Sequence, residues 1–153
     1  MDHRSPWTEE DGHGPVSEWT TRAKLPGELV LNDDGNRQRS RRYYDFAEAC
    51  RIARCDGWGM KGGQLEGETD RAYAARAARH DFEVLRAWCN DEWQYVGVVV
   101  TASIDGIELG SASVWGIECN YPGSDNSYLT DVAEELAPEA IEDAEATRGR
   151  LAA

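Results

Sequence analysis

The stretch from Tyr95 to Ile117 constrains the fold more than any other part of the chain. Tyr95 to Ile104 is rich in β-branched residues, Asp105-Gly106 follows at once, and a second run extends from Ile107 to Ile117. An Asp-Gly pair takes the positive φ angles of a type I′ turn, so the pattern predicts a β-hairpin with strands over 95–104 and 107–117. A regular register about that turn pairs Ile104 with Ile107, Ala102 with Leu109, Val100 with Ser111, Val98 with Ser113 and Val96 with Trp115. That side of the ribbon is mostly apolar and needs a cover.

The flanking segments supply one. Asp45 caps a predicted helix over 45–55 that Gly57 ends, and Thr69 caps a longer one over 69–90. In the latter, Ala74, Ala78, Phe82, Leu85, Trp88 and Cys89 recur at steps of three and four, the stripe a helix lays on a sheet. A final helix over 127–146 carries Leu129, Val132, Leu136, Ala140 and Ala144 on one face, with Pro138 expected to kink or restart it. Upstream, 28–31 and 37–43 read as a second hairpin about Asn32-Asp33-Asp34-Gly35-Asn36. The expected fold is α+β: one antiparallel sheet built from hairpins and covered on one side by the three helices. Residues 1–27, with their prolines, glycines and charges, read as a flexible arm, 28–147 as a single domain and 148–153 as a short tail.

A net charge of −13 argues against nonspecific binding to nucleic acid or to an anionic membrane. No run approaches the roughly 18 apolar residues of a membrane span, and the N-terminus lacks the apolar core of a signal peptide, so a cytoplasmic protein is expected. Cys50, Cys55, Cys89 and Cys119 are spaced too irregularly for a zinc ribbon and are expected as free thiols. His3 and His13 have no nearby ligand spacing and read as solvated, while His80 and Asp81 are helix neighbours that point apart. Gly57-Trp58-Gly59-Met60-Lys61-Gly62 fits G-x-G-x-x-G but follows a helix, not the strand that a dinucleotide site requires. No hydrolase, zincin or P-loop motif is present. The chain is expected to bind rather than catalyse, with no cofactor and no metal. A metal-dependent carboxylate enzyme is the alternative that the many acids leave open.

The charge is unevenly placed. From Glu118 to Glu145 there are nine acids and no base. Asp131, Glu134, Glu135, Glu139, Glu142 and Asp143 fall on the polar side of the last helix, which reads either as a solvated face or as a ligand surface. Asp131 to Glu145 spans about 21 Å of helix, with a charge density of the order that duplex DNA presents in its phosphates. Such a face suits a basic groove built for nucleic acid, with Tyr128 and Trp115 as apolar anchors. An opposite site is also conceivable: Arg37, Arg39, Arg41 and Arg42, interleaved with tyrosines, could contact phosphates directly, or could simply solvate an edge strand.

The run from Asp91 to Val100, the Asp-Gly turn, Val114-Trp115-Gly116-Ile117-Glu118, and Tyr128-Leu129 before an acidic helix resemble small accessory proteins encoded by bacteriophages and prophages. The resemblance covers about the last 60 residues. It implies a class in which acidic inhibitors of host defence are common, including anti-CRISPR proteins and DNA-mimicking antirestriction proteins. The expected partner is accordingly a nucleic-acid-handling protein of the host, a CRISPR-Cas effector or a restriction enzyme, engaged stoichiometrically without direct nucleic-acid or membrane binding.

Overall fold

The computed structural model describes residues 5–8, 12–32, 40–59 and 62–153. The fold is α+β, and the chain divides into two compact units, Met1–Glu92 and Trp93–Ala153. The strands form two separate two-stranded sheets rather than the one sheet read from the sequence, and each unit carries its own helices.

In the first unit, β1 (Glu28–Val30) pairs antiparallel with β2 (Tyr43–Asp45), Leu29 opposite Tyr44. Of the returning strand expected over 37–43, residues 37–39 lie outside the described residues, as does the turn over 33–36, and the described strand runs on to Asp45. On the other side of β2, part of the stretch expected as an arm runs antiparallel to it. Ser17 donates its amide to the Tyr43 carbonyl at 2.8 Å, and Thr20 and Arg41 exchange backbone hydrogen bonds of 2.9 and 2.8 Å. Asp45 then does what its side chain predicts, accepting from the Glu48 amide at 3.0 Å to cap α1 (Phe46–Asp56). Such a cap is worth about 1 kcal/mol. Gly57 closes the helix at φ 70°, its amide reaching the Ala53 carbonyl at 2.8 Å. Thr69 caps α2 (Asp70–Cys89) through the Ala72 amide. The apolar stripe of α2 meets β1, β2 and α1 in a core of Leu31, Tyr44, Ala49, Ala78, Phe82 and Leu85.

The second unit is one long hairpin and one long helix. Strands β3 (Gln94–Ile104) and β4 (Ile107–Cys119) pair about Asp105 and Gly106, whose φ angles of 49° and 79° match the expected turn. The regular register holds only next to the turn, at Ile104 with Ile107 and Ser103 with Glu108. Between Ala102 and Ser103 of β3, β4 carries one extra residue, Leu109, so that Ala102 faces Gly110, Val100 faces Ala112 and Val98 faces Val114. A second extra residue falls at Trp115-Gly116, where Gly116 has φ 81°, and Val96 then faces Ile117. The predicted partners Ser111, Ser113 and Trp115 are thereby turned to the opposite face.

The physical reason for the first shift lies in α3 (Ser127–Ala152), which covers the Val98, Val100 and Ala102 side. A β-carbon at Gly110 would lie 2.6 Å from the Ala140 carbonyl oxygen and 2.3 Å from the Ala144 amide nitrogen. The helix backbone sits directly on the strand there, and only a residue without a side chain fits. Ala112, Ala140 and Ala144 are buried in the same seam. Helix α3 runs through Pro138 without interruption and extends beyond the expected end at 146. The Asn120 and Asn126 side chains hold the entry to the helix: Asn126 accepts from the Asn120 amide and donates to its side-chain oxygen, both at 2.8 Å. Trp93 is buried with its ring edge-on to Tyr95 and Tyr121.

Candidate functional site

Burial of Ala140 and Ala144 against the hairpin fixes which way α3 faces. At 3.6 residues per turn the acids from Asp131 to Glu145 occupy about half of the circumference, centred away from those alanines. Asp131, Glu134, Glu135, Glu139, Glu142, Asp143 and Glu145 are all exposed. One of them has an internal task, since Asp143 accepts the backbone amide of Ser111 at 3.0 Å and so ties the helix to β4. The others form no ion pair or hydrogen bond among the described residues. The face is an array of carboxylates whose charge no base within the described residues offsets.

The two aromatic residues expected beside the acids are not brought to them. Tyr128 is half-buried, and its hydroxyl donates to the Glu118 carbonyl, closing the first turn of α3 onto the end of β4. Trp115 lies across the hairpin on the side away from α3. Alternation along β3 places Gly97 opposite to Val98 and Val100, and a β-carbon at Gly97 would fall 2.1 Å from Trp115 Cε3. The indole, 61% exposed, rests on that gap beside Val99, itself 52% exposed. Acids and Trp115 therefore occupy opposite sides of this unit.

The arginine strand fares differently again. Arg37 and Arg39 lie outside the described residues, as does His3. Arg41 is held in backbone pairing with Thr20. Arg42 is committed to the fold, its guanidinium 4.8 Å from the ring centres of both Trp7 and Trp19. An arginine sandwiched in this way packs Trp7 and Trp19 together and is not presented to a phosphate.

Sequence reasoning passed over one polar cluster. Asp81, 7% exposed on α2, accepts the Gly14 amide at 2.9 Å and the Tyr44 hydroxyl at 2.6 Å through Oδ2, and its Oδ1 pairs with His13 Nδ1. His13, read as solvated, is thus the outer member of a histidine–carboxylate–phenol network. Burial, together with the Asp81 charge, pushes the Tyr44 phenol far above its ordinary range, so it stays a donor. The partners are 37, 67 and 68 residues from Asp81, and no local spacing announces them. The helical position of Asp81, on the stripe beside Ala78 and Phe82, was the one available signal. Among the described residues, no three of His, Cys, Asp and Glu converge as metal ligands.

The four thiols are free, with Cys55 exposed and the others half-buried. Burial raises the Cys50 thiol above its usual value and pushes Cys89 up to about 11. Among the described residues, no helix is long and apolar enough to cross a membrane. No protein-family model, no curated protein and no solved structure matches the chain.

Proposed function

We propose that this protein acts by stoichiometric binding, docking the acidic face of α3 into a basic groove of a nucleic-acid-handling host protein. The observation that carries the reading is the array of exposed carboxylates on one helical face, unpaired among the described residues apart from Asp143. A solvated helix in a stable domain gains by interspersing bases at i+4, and α3 has none until Arg148. Like charges held close on a rigid helix raise the local negative potential and favour a partner that supplies cations. Together with the likeness to phage accessory proteins, this points to a CRISPR-Cas effector or restriction enzyme as the target, inhibited by occupation of its DNA-binding groove. Asp131, Glu134, Glu135, Glu139 and Glu142 supply the docking charge, whereas Tyr128 serves the fold and Trp115 belongs to a different face.

The test is inhibition of DNA binding by such purified enzymes, with the protein titrated to equivalence. Inhibition that saturates at one protein per enzyme, weakens as salt rises and disappears in the E135K/E139K/E142K variant is the expected result. Equal inhibition by that variant, or none by the wild-type protein, refutes the proposal. The alternative of direct phosphate contact through the arginine strand has less support, because Arg42 is occupied by Trp7 and Trp19.

A further inference from the structure

The chain has 29 acidic residues for 16 basic ones, so an arginine with neither a carboxylate nor an aromatic partner asks for a reason. In the first unit Arg22 pairs with Glu28, Arg51 with Glu48, Arg76 with Glu68 and Arg86 with Glu83, and Arg42 and Arg79 lie over aromatic rings. Arg54 and Arg71 form no ion pair or hydrogen bond among the described residues. Both line the same groove, a cleft of about 1110 Å³ between α1 and α2, with Arg54 contributed by α1 and Arg71 by α2. Arg51 joins them from α1, and Phe46, Ala47, Cys50 and Ala75 give the cleft an apolar floor.

The local electrostatics are consistent. Arg71 and Arg79 both act on the Cys50 thiol in the sense that stabilises a thiolate, so cationic charge reaches the floor from α2. Arg79 also covers the Phe46 ring at 5.0 Å, which holds that aromatic in place. The one carboxylate of the lining, Asp70, accepts a hydrogen bond from Gln64 Nε2 at 3.1 Å, which engages one of its oxygens. Two planar guanidinium groups lining one cleft with an apolar floor match a ligand with anionic groups on an apolar body. The volume lies just above the usual range for small-molecule sites, roughly 300–1,000 Å³, so there is room for a cofactor or metabolite rather than a lone ion.

We propose that the α1–α2 cleft is a binding site for an anionic small molecule, its phosphate or carboxylate groups held by Arg54 and Arg71 and its apolar part resting on Phe46 and Ala75. This site is independent of the acidic face of α3, and neither reading depends on the other.

Anilinonaphthalene sulfonate, an anion on an aromatic body, is a suitable probe. It should bind the intact chain with enhanced fluorescence and slow the alkylation of Cys55, whose exposed thiol lines the cleft. The R54E/R71E variant, altered only at exposed positions, should bind it roughly tenfold or more weakly, while keeping the wild-type circular dichroism spectrum. Displacement of the probe by inorganic pyrophosphate identifies a phosphate ligand, and displacement by citrate a carboxylate one. Absence of probe binding, undiminished binding to R54E/R71E, or displacement by neither anion overturns the proposal.

Discussion

Gly110 meets the backbone of α3 at Ala144: a β-carbon at position 110 would lie 2.3 Å from the Ala144 amide nitrogen. Gly97 is as crowded, but its neighbour is the exposed ring of Trp115. The same substitution should therefore have two different outcomes. Gly110→Ala forces a strand and a helix backbone apart and should cost about 1–3 kcal/mol or more in urea unfolding. Gly97→Ala needs only a swing of the indole, so it should cost under about 1 kcal/mol while changing the Trp115 fluorescence, a change absent from a W115F background. Equal costs at the two sites would show that α3 is not seated on Gly110.

The Asp81 network predicts an order of severity. Tyr44→Phe removes one hydroxyl, shared between Asp81 and the Ala78 carbonyl, and should cost about 1–2 kcal/mol. Asp81→Ala leaves the buried Gly14 amide without its acceptor and the Tyr44 hydroxyl with only the longer bond to the Ala78 carbonyl at 3.3 Å, and should cost about 2–5 kcal/mol. Thermal unfolding of the two variants checks this, and a Y44F variant less stable than D81A would contradict it.

A pH dependence follows from Glu28. Arg22 donates to it at 2.6 and 2.8 Å and the Leu25 amide at 2.8 Å, so its carboxyl is held below the ordinary value of 4.5. A depressed carboxyl adds stability that is complete above the unfolded value and is lost as pH falls through the folded one. Denaturation of wild type and Glu28→Gln should show a gap of about 1–2 kcal/mol at neutral pH. That gap should close below about pH 4.5. A gap that widens on acidification would mean the ion pair has been misassigned.

Thiol reactivity should separate the cysteines. Cys55 is exposed, whereas burial lifts Cys89 to about 11 and raises Cys50. Iodoacetamide at neutral pH should label Cys55 first and Cys89 last, as followed by peptide mass spectrometry. Early labelling of Cys89 would show that α2 opens readily near its C-terminus.

Much of this architecture was legible in the sequence because its signals are local. The Asp105-Gly106 turn, the Asp45 and Thr69 caps, the Gly57 stop and the apolar stripe of α2 each need only a few neighbouring residues to act. The hairpin register was not legible, because the turn alone favours Leu109 opposite Ala102, and it is the approach of α3, closing from 30 residues away in sequence, that selects Gly110 instead. The acidic face was readable as a pattern, and its exposure follows from the alanine seam. The separation of Trp115 from that face was not, since the first extra residue of β4, Leu109, turned the indole over. Asp81 was hidden for a third reason: a carboxylate on an apolar stripe declares itself only once Gly14 and Tyr44 are folded onto it.

The two extra residues of β4 bear on how this hairpin can change by insertion and deletion. Glu108 and Gly110 already point to opposite faces, as do Trp115 and Ile117, so Leu109 and Gly116 interrupt the alternation without shifting anything beyond them. Loss of the codon for either one would make the pairing regular at that point and leave every remaining side chain on its present face. Loss of Gly110 instead would draw Leu109 into the seam against Ala144, where there is no room for it. The strand is thus indifferent to length at two positions and intolerant at the residue next to one of them.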